Sequence, residues 1–227
     1  MRTRIKICGL TREEDILAAA DAGADAIGMV FYPPSKRSLT PERAAELRRV
    51  VPPFVSVVAL FVNASAQEIA AVVDQASPDW LQFHGDETPE ACRGHGRPYL
   101  RAFRVGAPGM DSAPDLAAAC GGYDDAIAWL FDSHSAGYGG SGLAFDHTLL
   151  SGLPSAKRRS LVLSGGLNAG NVTEAIIHTK PWAVDVSSGV EAAPGVKSAQ
   201  RIADFVRAVG AADERLAADG ESVSSPL

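Results

Sequence analysis

RIKICGLTREEDILAAADAGADAIGMVF, residues 4–31, holds within one stretch the pattern that decides the fold. Two apolar, β-prone runs, RIKICGL at 4–10 and AIGMVF at 26–31, flank a segment whose apolar residues recur at helical spacing. Thr11 followed by Glu14 has the form of a capping box at the start of that helix. Both runs are continuously apolar rather than alternating, as in strands of a parallel sheet that is covered on both faces. Strand, helix and parallel strand together make a βαβ unit.

The alternation recurs along the chain. Further strands are expected in VSVVALFV at 55–62, WLQFH at 80–84, YLRAFRV at 99–105, AIAWLFDS at 126–133, SLVLSGG at 160–166 and AVDVSS at 183–188. Ser65 with Glu68 repeats the capping-box spacing, and Thr40-Pro41 and Thr88-Pro89 place proline in a first helical turn. The helices around DLAAACGGY and FDHTLLSGL have the faintest signals. Eight strand and helix units in about 200 residues match a small (β/α)8 barrel and leave no length for a second domain. The barrel is expected over residues 1–210, with 211–227, which turns polar after Gly210, a frayed helix end and mobile tail. A doubly wound open sheet is the alternative, although CGLTREED lacks the glycine fingerprint of its dinucleotide-binding form.

Composition narrows the function classes. With 227 residues and 46% hydrophobic content the chain supplies a sizeable core, and no apolar run reaches the roughly 18 to 20 residues of a membrane helix. The chain starts straight into a strand, without a signal peptide's pattern. Cys8, Cys92 and Cys120 are odd in number and widely spaced, which suits neither a disulfide framework nor a zinc knuckle, and points to a reducing cytoplasm. A net charge of −6 offers no broad basic field for nucleic acid, while local basic groups can still hold small anions.

A barrel presents its chemistry at the carboxyl ends of its strands. Read in order, those ends carry Cys8, the Ser35–Arg37 triplet, Asn63, His84, Asp132, Ser164–Gly166 and Ser187–Gly189. In SGGLNAGNV and VDVSSGVE, the glycines Gly165, Gly166 and Gly189 either turn the chain or let backbone N–H groups cradle a phosphate. Asp132 ends a strongly apolar strand, where burial favours a retained proton; it is a general acid or a brace for the next loop. Cys8 is a small core filler or a thiolate, with Lys6 pointing the same way along the strand. His84 is a core histidine or a ligand contact, and Asp185 faces inward to position a sugar or to brace its strand.

KICGL, GMVFYPPSKRSL, VALFVN, LQFHGDE, FDS followed by YGGSG and FD, LSGGLNAGNV, VDVSSGVE and PGVKS occur in this order from residue 4 to 207. Together they resemble the phosphoribosylanthranilate isomerase family of tryptophan biosynthesis. That resemblance implies a (β/α)8 enzyme without metal or cofactor. Its reaction is the Amadori rearrangement of N-(5-phosphoribosyl)anthranilate to 1-(2-carboxyphenylamino)-1-deoxyribulose 5-phosphate. By the same resemblance Asp132 is the general acid, Cys8 the base and Arg37 the partner of the anthranilate carboxylate. Ser187, Ser188 and Gly189, with the loop glycines, take the phosphate. The stretch SHSAGYGGSG after Asp132 reads as a loop that closes over the site. His147 and Leu39 stand where the family commonly has larger aromatic residues. Related barrels such as a sugar-phosphate epimerase or indole-glycerol-phosphate synthase, a dual-substrate isomerase and a catalytically silent sensor are the competing readings. A monomer is the preferred state, since one barrel holds a whole site.

Overall fold

The apolar runs become the staves of a closed barrel. A computed structural model describes residues 2–133, 149–150, 153 and 160–223, with side chains to residue 219. Its strands are β1 (Arg4–Cys8), β2 (Ala26–Phe31), β3 (Ser56–Phe61), β4 (Trp80–Phe83), β5 (Tyr99–Val105), β6 (Ala128–Ser133), β7 (Leu161–Leu163) and β8 (Ala183–Val186). Each is parallel to the next, and β8 returns to pair with β1, with Lys6 beside Asp185. Closure removes the choice of an open sheet.

Side-chain alternation sorts the strands into two environments. Ile5, Ile7, Ile27, Met29, Val57, Phe61, Leu81, Phe83, Trp129 and Phe131 point outward into the main core beneath the helices. Ala26, Val58, Leu100, Ala102, Leu130 and Val162 fill the floor of the lumen. Above that floor Cys8, Val30, Leu60 and Val62 form a small apolar wall, and there the packing opens.

The surrounding helices are α1 (Glu13–Ala22), α2 (Pro41–Arg48), α3 (Ala66–Ala76), α4 (Pro89–Cys92), α5 (Ala113–Cys120), α6 (Val172–Thr179) and α7 (Ala199–Val223). Thr40 and Thr88 cap α2 and α4 by accepting from the backbone N–H of Arg43 and Ala91, and Ser65 with Glu68 forms the reciprocal box at α3. The box expected at Thr11 does not form. Arg12 is the N-cap of α1 without a side-chain bond, and Thr11 Oγ1 donates instead to the carbonyl of Gly195 at 2.8 Å, a tertiary contact invisible in the local pattern. The expected helix around FDHTLLSGL lies mostly outside the described residues.

The last helix also continues past Gly210. α7 runs through it to Val223, because Ile202, Phe205, Val209 and Ala212 continue one buried stripe at helical spacing and Leu216 packs against the same core. Asp213 lies within this extension and accepts from the N–H and hydroxyl of Thr3, at 2.9 and 2.7 Å. Polar composition there marks the solvent face of a packed helix. Among the described residues no helix is long and apolar enough to cross a membrane. A short hairpin, β9 (Glu191–Ala193) and β10 (Val196–Lys197), separates β8 from α7.

Candidate active site

Cys8 ends β1 facing the lumen, and its neighbour in register on β2 is Gly28. A Cβ on Gly28 would stand 2.6 Å from the Cys8 Sγ, so the glycine in the middle of an otherwise bulky strand is the space the thiol occupies. Beneath it Lys6 Nζ donates to Asp185 Oδ1 at 2.8 Å, and Asp185 Oδ2 also accepts from the Ser164 hydroxyl at 3.3 Å. Burial pulls the Lys6 ammonium down, but the Asp185 carboxylate and Cys8 outweigh it, and its pKa is raised. Burial pushes the Cys8 thiol up; the Lys6 charge opposes this and only partly offsets it. Cys92 and Cys120 are pushed up to about 12 by burial and are inert core thiols.

Across the lumen, Asp132 sits on β6. Its Oδ2 meets His84 Nε2 at 3.1 Å, and His84 Nδ1 lies 2.9 Å from Gln82 Nε2. With the amide nitrogen donating to Nδ1, the imidazole carries its proton on Nε2 and donates to the carboxylate. Oδ1 of Asp132 is buried and has no hydrogen-bond partner among the described residues. His84 is held by a rigid turn. Glu87 accepts from the backbone N–H of Asn63 and Gly85, at 2.7 and 2.8 Å, while Arg101 binds Glu87 and the carbonyls of Phe83 and Gly85, each at 3.0 Å.

Arg37 reaches the same opening from the loop after β2, lying so close over Gly9 that a Cβ there would stand 2.4 Å from its Cδ. Its Nε and Nη2 donate to the two carboxylate oxygens of Glu191, both at 2.7 Å. On the far side of the rim, Gly165 and Gly166 adopt φ of 89° and 66°, conformations that favour glycine. A Cβ at Gly165 would stand 2.3 Å from the backbone nitrogen of Ser133 and 2.7 Å from Asp132 Oδ1. Ser187 and Ser188 open the turn after β8, at the start of a single 3₁₀ turn.

Cys8, Arg37, His84, Asp132, Gly165, Gly166, Asp185, Ser187 and Ser188 all line one open cavity. Gly189 does not line it. A Cβ there would fall 1.9 Å from the carbonyl oxygen of Leu167, so Gly189 lets the turns after β7 and β8 touch. Asp185 lines the cavity while bonded to Lys6. Tyr32, Ser35 and Ser164 also face the cavity; the last two were readable as polar residues at strand ends. The expected closing loop lies outside the described residues beyond Ser133, as does His147. Glu191 and Lys197 meet this site only through tertiary contacts.

The family model described as N-(5'-phosphoribosyl)anthranilate isomerase matches residues 5–208. A relative of that name from Bordetella bronchiseptica is 63% identical over 215 residues, covering 94% of this chain and 99% of the relative. The crystal structure of phosphoribosyl anthranilate isomerase from Thermotoga maritima is 39% identical, covers 92% of this chain and 99% of its own, and has a TM-score of 0.81. A further phosphoribosyl anthranilate isomerase structure, in complex with reduced 1-(o-carboxyphenylamino)-1-deoxyribulose 5-phosphate, is 37% identical over 92% of this chain and 99% of that one, with a TM-score of 0.77.

Proposed function

Since the chain belongs to the N-(5'-phosphoribosyl)anthranilate isomerase family, and its reaction is that isomerisation in tryptophan biosynthesis, we propose that Asp132 and Cys8 carry it out as general acid and general base. The observation that supports this most directly is that Cys8 and Asp132, on opposite sides of the lumen, open into one cavity that also holds Arg37 and the glycine turns.

In the first step a proton passes from Asp132 to the ribose ring oxygen. The C1–O bond breaks as the anilino nitrogen lone pair forms the C1 iminium. His84 bonds Oδ2 and Oδ1 is buried against the Gly165 turn, which together fix the orientation of the acid at the cavity wall. In the second step the Cys8 thiolate takes the C2 proton, and the C2–H electron pair flows into the iminium to give the enolamine. Loss of the 2-hydroxyl proton and protonation at C1 then yield the ketone. The iminium is the electron sink, so the protein's task is to position two proton carriers and hold the two anionic ends.

Arg37 takes the carboxylate end. The backbone of Gly165 and Gly166 and the Ser187–Ser188 turn take the phosphate, while Gly189 brings their loops together. On this reading the protein acts in the cytoplasm as a monomer on a phosphorylated small molecule, with a complete site in each barrel and no need of metal or cofactor.

The test is kinetic. Cys8→Ala and Asp132→Asn should each lower turnover by at least roughly 100-fold with little change in KM, as expected for positioned acid or base groups. Substrate generated in situ and followed by loss of its anthranilate fluorescence gives both constants. Near-normal turnover in folded Cys8→Ala would return the thiol to the role of core filler.

A further inference from the structure

We propose that Glu191 is a positioning residue for Arg37, gripping one edge of the guanidinium from outside the cavity and so presenting the opposite edge to the substrate's carboxylate. This rests on the assignment of that carboxylate to Arg37.

A guanidinium has two edges that can take a carboxylate in a fork, one made by Nε and Nη2 and the other by the two Nη groups. Glu191 holds the first with two bonds of 2.7 Å. The side-on fork is therefore already filled, and the end-on fork remains: Nη1 and the second proton of Nη2. Among the described residues no hydrogen bond to Nη1 is found. Because a bidentate pair fixes the plane as well as the position of both groups, the direction of the end-on fork is set by where Glu191 sits.

Glu191 is itself built in. It is buried, and its Oε1 accepts a second cation, Lys197 Nζ, at 2.9 Å, and the backbone N–H of Gly195 at 3.3 Å. Lys197, also buried, donates in addition to the carbonyl of Ser187 at 3.1 Å. Two cations on one carboxylate keep Glu191 ionised: burial pushes its carboxyl up, but Arg37 and Lys197 outweigh that and hold it below its ordinary value. The hairpin that carries both residues is clamped to the rim, since Thr11 bonds the Gly195 carbonyl and a Cβ on Gly195 would stand 2.9 Å from the Lys36 carbonyl oxygen. Neither Glu191 nor Lys197 lines the cavity. The hairpin fastens the arginine and the neighbouring Ser187 turn from behind.

Calorimetric binding to the full chain tests this with two probes: reduced 1-(2-carboxyphenylamino)-1-deoxyribulose 5-phosphate, and its phenyl counterpart lacking the carboxylate. Glu191→Gln keeps the shape and removes the charge. Glu191→Asp keeps the charge that Lys197 needs but is one methylene too short for the fork, and guards against a Gln variant that fails to fold. Each should weaken the carboxylate probe about tenfold, leave the phenyl probe within about twofold, and add nothing when Arg37 is already alanine. Equal weakening of both probes overturns the proposal. So does a Glu191 effect that persists in Arg37→Ala, while Arg37→Ala alone still distinguishes the probes and keeps its own assignment. If Arg37→Ala weakens both probes alike, the carboxylate assignment falls and takes this proposal with it.

Discussion

Gly28 and Lys6 act on Cys8 from different directions, one by volume and one by charge. Gly28→Ala puts a methyl carbon into the space of the thiol, and overpacking of this kind forces a displacement that costs about 1–3 kcal/mol. Turnover should fall by about tenfold or more with KM little changed, because the displaced atom is the base and no part of the anion sites. Lys6→Met removes the positive charge that opposes burial at Cys8. The base works as thiolate, so the acidic limb of kcat/KM against pH follows the thiol. Wild type should still be gaining activity at pH values above the ordinary thiol pKa of about 8.5, and the limb of Lys6→Met should lie higher still. An unmoved limb would show that Lys6 does not support the thiolate. Cys8, Asp132, His84 and the serines were legible as polar residues at the ends of apolar strands, since a barrel gathers those ends on one rim. Gly28 and Glu191 were not: the first looks like a weak point in a strand, and the second meets Arg37 across 154 residues of chain.

At the scale of elements, α7 carries the clearest lesson. Its apolar stripe of Ile202, Phe205, Val209 and Ala212 was present in the sequence, while the polar residues after Gly210 read as a frayed helix end and a mobile tail. Gly210 is helical, and a Cβ there meets nothing within 4 Å. Gly210→Ala should therefore stabilise the protein by about 0.5–1 kcal/mol, seen as a rise in Tm of roughly 1–4 °C. The turn after β4 makes the opposite case. Arg101→Met leaves Glu87 buried without its cation, which should cost about 3–5 kcal/mol in a denaturant titration and loosen the turn that aims His84 at Asp132. Strand positions and three helix caps followed from local patterns. The Thr11 cap failed because a distant carbonyl competes for the same hydroxyl, and local patterning carries no information about such a competitor.

For the whole molecule, closure was the feature that periodicity left open, since eight parallel strands with helices between them fit an open sheet as well as a barrel. It is settled by β1 pairing with β8, and that seam has a consequence in time. Lys6 and Asp185, which join across it, are separated by 179 residues, so theirs is among the last contacts that a chain emerging or refolding can make. Until the seam shuts, Lys6 lacks Asp185 and Cys8 lacks the adjoining strands whose turns carry the phosphate site. Helical circular dichroism should recover early in refolding and isomerase activity late, with the lag between them measuring ring closure. A nascent chain released before Ala183 would be rich in helix and wholly without activity. The catalytic centre thus serves as the molecule's own certificate that the two ends of the sheet have met.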